Sequence, residues 1–193
     1  MDQVHPSDSR LYFTPLTPDH RDGIQAFSCS VPDLEAFLKD DALRLHESHI
    51  SFTYLAFLEH AQGGDELAGY ISLIADALTL EQHERHDIPS IEFSVVPAVK
   101  VGRLATNLAS KVHIRGTGTA MMRFAFLKGL ELATLVGARF LTVDALEGAV
   151  SFYERLGFVK NTARTYIKKK QFISMRLDLF GSRLPGGVAP LAA

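Results

Sequence analysis

The chain is predicted to be a single α/β domain, and three observations carry that prediction. Its 193 residues, 47% apolar and 22% charged, are enough for one buried core, and no linker or internal repeat divides them. Segments rich in β-branched and aromatic residues recur at 51–58, 67–73, 99–106 and 138–144. Between the last two lies a long apolar helical stretch opened by Gly116 and Gly118. The domain is expected over residues 1–180, with 181–193 (Pro185, Gly186, Gly187 and Pro190 among them) as a flexible tail.

In chain order, Leu11-Tyr12-Phe13-Thr14 reads as a first strand near an edge, stopped by Pro15. Pro18 to Asp22 suits one helical turn. A helix is expected from Pro32, a residue suited to a first turn, to about His46, with Leu34, Phe37, Leu38, Ala42 and Leu45 at helical spacing. Strands at 51–58 and 67–73 flank the turn at Gly63-Gly64-Asp65. Residues 79–89 are polar and read as a loop or short helix. Ile91 to Val96 leads to a break at Pro97, and a further strand covers 99–106. The helix from Gly116 to about Val136 gathers Arg123, Lys128 and Glu131 on one side, which predicts a mostly buried helix with a narrow polar strip. Gly137 suits its C-cap. A strand at 138–144, a short helix at 148–156 closed by Gly157, a strand starting at Phe158 and a last strand at 171–180 complete the series.

Bulk properties exclude several classes. A net charge of −2 gives no general basic field for nucleic acid or an acidic membrane. Cys29 is alone, so no intrachain disulfide can form. No apolar run reaches the roughly 18 residues of a membrane span, and the N-terminal stretch lacks the basic start and apolar core of a signal peptide. The expected location is the cytoplasm. His83-Glu84-Arg85-His86, and His46 with His49, lack both HExxH spacing and a nearby Cys, so no metal is expected. Lys168-Lys169-Lys170 with Arg164 and Arg176 forms a local basic cluster, expected at a solvated hairpin tip.

The chemistry gathers at His113-Ile114-Arg115-Gly116-Thr117-Gly118-Thr119. Glycines where a helix begins let the backbone approach a ligand, and the first helical amides sit at the positive end of the dipole. That combination is an anion site suited to phosphate or pyrophosphate.

One helix and one strand later comes Phe152-Tyr153-Glu154-Arg155-Leu156-Gly157-Phe158. This order of elements and motifs resembles the GNAT superfamily of acyl-CoA-dependent N-acetyltransferases. The 113–118 segment occupies the family's Gln/Arg-x-x-Gly-x-Gly/Ala motif, and Phe152 to Phe158 matches its aromatic-Tyr-Glu-Lys/Arg-aliphatic-Gly-Phe segment without a gap. The match covers 97–160. His113 stands where Gln or Arg is common, Ile114 replaces a frequent Gly, and the 144–148 segment lacks an Asn that often touches the cofactor. The resemblance implies a single-domain fold with a mixed, mostly antiparallel sheet of six to seven strands flanked by helices, splayed at the strand before the glycine turn. It also implies acetyl-CoA as co-substrate, its pyrophosphate on the amides of Arg115, Gly116, Thr117, Gly118 and Thr119, with His113 a further cofactor-binding candidate of unassigned role, and its pantetheine along Leu104-Ala105-Thr106. Tyr153 lies where the family often places a general acid. Glu92 and Asp144 are candidate general bases, each in or at the end of a predicted strand.

The implied reaction is direct attack of a primary amine, on a small molecule or peptide, upon acetyl-CoA in a ternary complex. Phe27-Ser28-Cys29, Pro32 to Leu38 and Gly102-Arg103-Leu104-Ala105 are further similar to acetyltransferase toxins of bacterial toxin–antitoxin pairs. Those act on aminoacyl-tRNA, so tRNA and an antitoxin are the partners of that alternative. A non-catalytic acyl-CoA sensor is a third reading, and a free strand edge allows a homodimer.

Overall fold

A computed structural model describes residues 9–60, 64–85, 88, 93–110, 115–167 and 171–181. Glu92, His113, Lys168 to Lys170, and the expected tail beyond Gly181 lie outside the described residues. Seven strands form one sheet in the order β1-β2-β3-β4-β5-β7-β6. They are β1 (Ser9–Pro15), β2 (Phe52–His60), β3 (Asp65–Thr79), β4 (Val95–Thr106), β5 (Phe140–Ala145), β6 (Val159–Lys160) and β7 (Ile173–Asp178). The helices are α1 (Arg21–Gln25), α2 (Pro32–Ala36), α3 (Ala42–Glu47), α4 (Thr117–Leu135), α5 (Val150–Arg155) and α6 (Arg164–Ile167). β1–β2, β2–β3, β5–β7 and β6–β7 are antiparallel, and β4–β5 is parallel. The sheet is therefore mixed and mostly antiparallel, as expected.

The chain packs as two compact units, Met1–Leu73 with Arg103–Met122, and Ile74–Gly102 with Arg123–Ala193. In the first unit, β1 lies on β2 from Ser9↔His60 to Pro15↔Tyr54. Its core joins Leu16, Ile24, Phe27, Leu38, Ala42, Leu55, Leu67, Tyr70 and Ala105. The helix expected over 32–46 holds, with a π-helical turn at Phe37–Asp41 between α2 and α3. A wide turn inside a helix leaves no mark in hydrophobic spacing, and such turns collect at functional sites.

Asn107, at the end of β4, is buried and ties this unit together. Its Oδ1 accepts from Ser28 N at 3.1 Å and Ala109 N at 3.0 Å, and its Nδ2 donates to Leu67 O at 2.7 Å. Its own backbone N–H donates to Ala68 O at 2.8 Å, and the next amide, Leu108 N, donates to Ser28 O at 2.7 Å. One side chain thus fixes the exit of β4 against β3 and against the loop after α1. Beside it, Gly69 is a steric requirement: a Cβ there would lie 2.7 Å from the Ala105 carbonyl oxygen and 3.1 Å from Met121 Cε.

In the second unit, β5 pairs with β4 from Ala98↔Phe140 to Val101↔Val143 and with β7 from Phe140↔Asp178 to Ala145↔Ile173. Leu141, Val143, Ala145, Met175 and Leu177 are buried on one face. The opposite face is apolar at one end, where Leu78, Leu80, Ile88, Val96, Ala98 and Phe140 cluster with Tyr166. A polar clamp holds the neighbouring loops. Arg176 Nη1 donates to Glu84 Oε1 at 2.7 Å and Asn161 Oδ1 at 2.8 Å, and Thr162 N donates to Glu84 Oε1 at 3.0 Å. Burial pushes the Glu84 carboxyl up, but the Glu81 and Thr162 amides and the Arg176 guanidinium outweigh it and hold the group below its ordinary range.

Three expectations need correction. Pro97 does not end a strand: β4 runs through it, because its missing N–H precedes the β5 ladder while its carbonyl accepts from Arg139 N at 2.8 Å. β3 does not stop at Leu73 but continues to Thr79, where the Asp76 carboxylate accepts from Thr142 Oγ1 at 2.6 Å. α4 is less enclosed than its composition suggests, because Leu127 and Leu135 are 58% and 70% exposed beside Arg123 and Glu131. Single apolar side chains tolerate water, so composition overstates burial. Gly137 and Gly157 do end their helices with positive φ, 81° and 91°.

Asn107→Ala leaves the buried Leu67 carbonyl and the amides of Ser28 and Ala109 without their partner and is expected to cost about 2 kcal/mol in urea unfolding. Glu84 has a folded pKa below its unfolded value, so its contribution is complete above about pH 4.5 and is lost as pH falls below that value. Glu84→Gln is therefore expected to cost about 3 kcal/mol at pH 7 and to flatten the acid limb of the stability–pH curve.

Candidate active site

The expected anion cradle opens α4, a helix of 19 residues. Gly116 has φ +103°, a conformation open to glycine and costly for any L side chain. The first described intrahelical bond runs from Ala120 N to Gly116 O at 2.9 Å. The amides of Gly118 and Thr119 stand ahead of it, at the positive end of the helix dipole. Arg115 and Gly116 are exposed, Gly118 and Thr119 half-buried and Thr117 buried. The turn therefore offers backbone donors and one exposed guanidinium to an anion.

Just upstream in sequence, β4 presents Leu104 half-buried, Ala105 buried and Thr106 exposed. These expected residues, Leu104 to Thr106 and Arg115 to Thr119, fall in the same compact unit. Arg103, which precedes them, holds its guanidinium 5.2 Å over the Phe37 ring. Phe37 comes from the π-helical turn and stacks on Tyr70 at 6.1 Å, and the Tyr70 hydroxyl donates to Leu34 O at 2.6 Å. The wide turn thus carries an aromatic support for a cation next to the strand. Cys29 Sγ donates to Val31 O at 3.2 Å, a packing role.

Tyr153 belongs to the second unit, on α5. Its ring meets Phe152 and Phe158 edge-on at 5.0 and 5.5 Å, so the two aromatic positions of the motif hold it in place. Its hydroxyl has no hydrogen-bond partner among the described residues. Burial pushes its pKa up to about 12, so the phenol stays protonated at neutral pH. Asp144 is committed to an ion pair with Lys100 Nζ at 2.6 Å. Glu92 and His113 lie outside the described residues. No group of three or more metal-binding side chains occurs among the described residues.

Sequence reasoning missed Asn107 and Gly69. An isolated glycine inside a strand pattern signals close backbone approach, which could have singled out Gly69. An asparagine after a strand reads as an ordinary turn residue, so Asn107 left no distinguishing signal.

No protein-family model matches the chain. Solved structures do. A bacterial toxin shares 20% identity over 88% of this chain and 91% of its own, at a TM-score of 0.71. AtaT complexed with acetyl-methionyl-tRNAfMet shares 24% identity over 88% and 95%, at 0.68. A tyrosine-to-phenylalanine mutant of the AtaT toxin, bound to acetyl-CoA and the C-terminus of the antitoxin AtaR, shares 23% over 88% and 93%, at 0.66.

This chain has the GNAT fold. The likeness runs through nearly the full length of both partners, well beyond residues 97–160. It extends into the N-terminal half, where the sequence alone offers only short similarities. Among the described residues, no helix is long and apolar enough to cross a membrane.

A methyl group on Gly116 would meet nothing within 4 Å, so its cost is purely conformational. Gly116→Ala is expected to lose about 1–2 kcal/mol in denaturant unfolding. Gly148→Ala, equally open and without positive φ, is expected to be neutral or stabilising by about 0.5 kcal/mol.

Proposed function

We propose that this protein is an acetyl-CoA-dependent N-acetyltransferase of the toxin type, and that its acceptor is the amino group of an aminoacyl-tRNA. One observation carries the reading: the likeness to AtaT bound to acetyl-methionyl-tRNAfMet spans 88% of this chain. The short similarities at 27–29, 32–38 and 102–105 point the same way, since the two glycines alone would suit any acyl-CoA enzyme. The sequence offers a small-molecule or peptide amine as the first acceptor and aminoacyl-tRNA as the alternative; the structural likeness supports the alternative. The net charge of −2 favours the first, because tRNA binding rests on neutralised phosphates. The basic residues available for local phosphate contacts include Arg155, Lys160 and Arg164, all exposed.

In this reading, the pyrophosphate of acetyl-CoA lies on the amides at Gly116 to Thr119 with Arg115 beside it, and pantetheine extends β4 along Leu104 to Thr106. What the residues present offer fits the group: a glycine-only backbone turn, helix-start amides and an exposed strand residue at Thr106. Tyr153 serves the departing thiolate. With its pKa near 12, full proton transfer to a thiolate of parent pKa about 8.5 is uphill by about 3.5 units, roughly 5 kcal/mol. Tyr153 therefore acts as a hydrogen-bond donor to the sulfur as charge develops, while the attacking amine loses its proton to solvent. That an AtaT tyrosine was replaced by phenylalanine in the complex with acetyl-CoA and antitoxin supports a tyrosine in this role. An antitoxin is the expected protein partner.

The test is release of CoA thiol from acetyl-CoA on addition of aminoacyl-tRNA, with N-acetyl product identified by mass. Tyr153→Phe is expected to lower kcat at least ten-fold, with acetyl-CoA affinity unchanged. Since the raised phenol stays protonated, kcat should not fall between pH 9 and 10.5. A decline centred near pH 10 would mean that Tyr153 ionises at its ordinary value. Saturable acetyl-CoA binding with no turnover on any amine would instead mark a sensor.

A further inference from the structure

The cation beside β4 is held more firmly than an exposed arginine ordinarily is. Strand alternation puts Arg103 on the same face as Ala105, which joins the core of Leu38 and Tyr70, while Leu104 and Thr106 take the other face. Arg103 is itself exposed, with its guanidinium 5.2 Å over the Phe37 ring. That ring is fixed in turn. It stacks on Tyr70 at 6.1 Å, and the fully buried Tyr70 meets Phe27 edge-on at 5.6 Å and donates its hydroxyl to Leu34 O at 2.6 Å. Phe37 also opens the π-helical turn Phe37–Asp41, an irregularity of the kind that collects at functional sites.

The position of Arg103 along β4 says which part of the reaction it serves. The β4–β5 ladder ends at Val101↔Val143, and Leu104 to Thr106 run on beyond it. In the transferase reading above, on which this inference rests, pantetheine leads back along β4 from the pyrophosphate turn. The thioester then comes to the Arg103 end, about 10 Å up-strand of Thr106. Phe37, Tyr70, Arg103 to Thr106 and Arg115 to Thr119 all belong to one compact unit. An aminoacyl-tRNA carries its amine on the terminal ribose, and its nearest anion is the phosphate on the 5′ side of that ribose. A ring occupies the face of a guanidinium and not its edge, where the N–H donors that pair with phosphate lie.

We propose that Arg103 is a specificity residue for the acceptor, binding the phosphate of the terminal nucleotide of an aminoacyl-tRNA. The Phe37 stack preorients the guanidinium, so less freedom is lost when it grips the phosphate. A cation at this end also favours the neutral amine that must attack the thioester, where a carboxylate would favour the ammonium. Lysine would supply the charge without the plane, so the stack and the fork distinguish this site from a general basic patch.

The test uses two stable acceptor analogues, 3′-deoxy-3′-(methionylamino)adenosine with and without a 5′-phosphate. Their binding is measured with the full chain saturated with CoA, and N-acetylation of methionyl-tRNA is followed in parallel with acetyl-CoA. The wild-type protein should bind the phosphorylated analogue about ten-fold or more tighter than the other. Arg103→Gln should bind the two alike, Arg103→Lys should keep part of the preference, and Phe37→Leu should weaken it with the charge still present. Equal wild-type affinities for the two analogues, or an undiminished preference in Arg103→Gln, would overturn the assignment. So would equal weakening of both analogues in Arg103→Gln, which marks a merely structural role, or a matching loss of CoA affinity, which would give Arg103 to a phosphate of the cofactor. If the assignment fails while methionyl-tRNA is acetylated, the transferase reading stands without it. A phosphate preference that depends on Arg103, with no acetylated product, would overturn that reading and leave the phosphate site standing. Binding of neither analogue together with no acetylation would overturn both.

Discussion

The end of β4 is where this molecule has least freedom, and a single amide side chain sets it. A strand that must stop, turn and begin a long helix exposes backbone groups that burial would otherwise leave unpaired. Asn107 answers with both ends of its side chain and its own N–H, reaching Ser28, Ala109, Leu67 and Ala68. Because the contacts lie on three separate segments, the position of the β4 exit, of β3 and of the loop after α1 are decided together. Gly69 completes the arrangement by letting the β4 backbone approach as no larger residue could. The strand proposed to carry pantetheine therefore ends at a fixed point.

The second unit solves a comparable problem with charge. Glu84, in a short 3-10 turn, gathers Arg176 from β7 and the Thr162 amide from the loop after β6. Asn161 secures the same arginine and ties back to Ser174 Oγ at 2.8 Å. Such a pair stabilises little over an apolar alternative, but it is costly to break from one side, which makes it a device for specificity of loop placement.

The two motif segments owe their form to different forces. At Gly116 the backbone angle itself demands glycine, and the function proposed there follows from amides alone. At Tyr153 the backbone is ordinary, and the surrounding rings make the residue what it is: Phe152 and Phe158 shield the phenol and keep its proton in place. A pKa near 12 makes the group a poor source of protons and a dependable hydrogen-bond donor, which narrows the chemistry it can perform.

Most of the element series (though not the short helix α6), the glycine turn, the C-caps at Gly137 and Gly157 and the Phe152 to Phe158 segment were legible in the sequence, because each rests on local rules: periodicity, positive φ and motif order. The reach of β3 past Asp76, the passage of β4 through Pro97 and the π-helical turn under Arg103 were not. Each depends on a partner distant in sequence, Thr142 for Asp76 and Arg139 for Pro97, or on a change of helical pitch that spacing does not record. Asn107 was invisible for the same reason, since its four contacts span residues 28 to 109. Local chemistry thus determined what kind of fold this chain adopts and where an anion could sit. Only the tertiary structure decided which carboxylates are spent on ion pairs, Asp144 on Lys100 and Glu84 on Arg176, and which on a hydroxyl, Asp76 on Thr142 Oγ1.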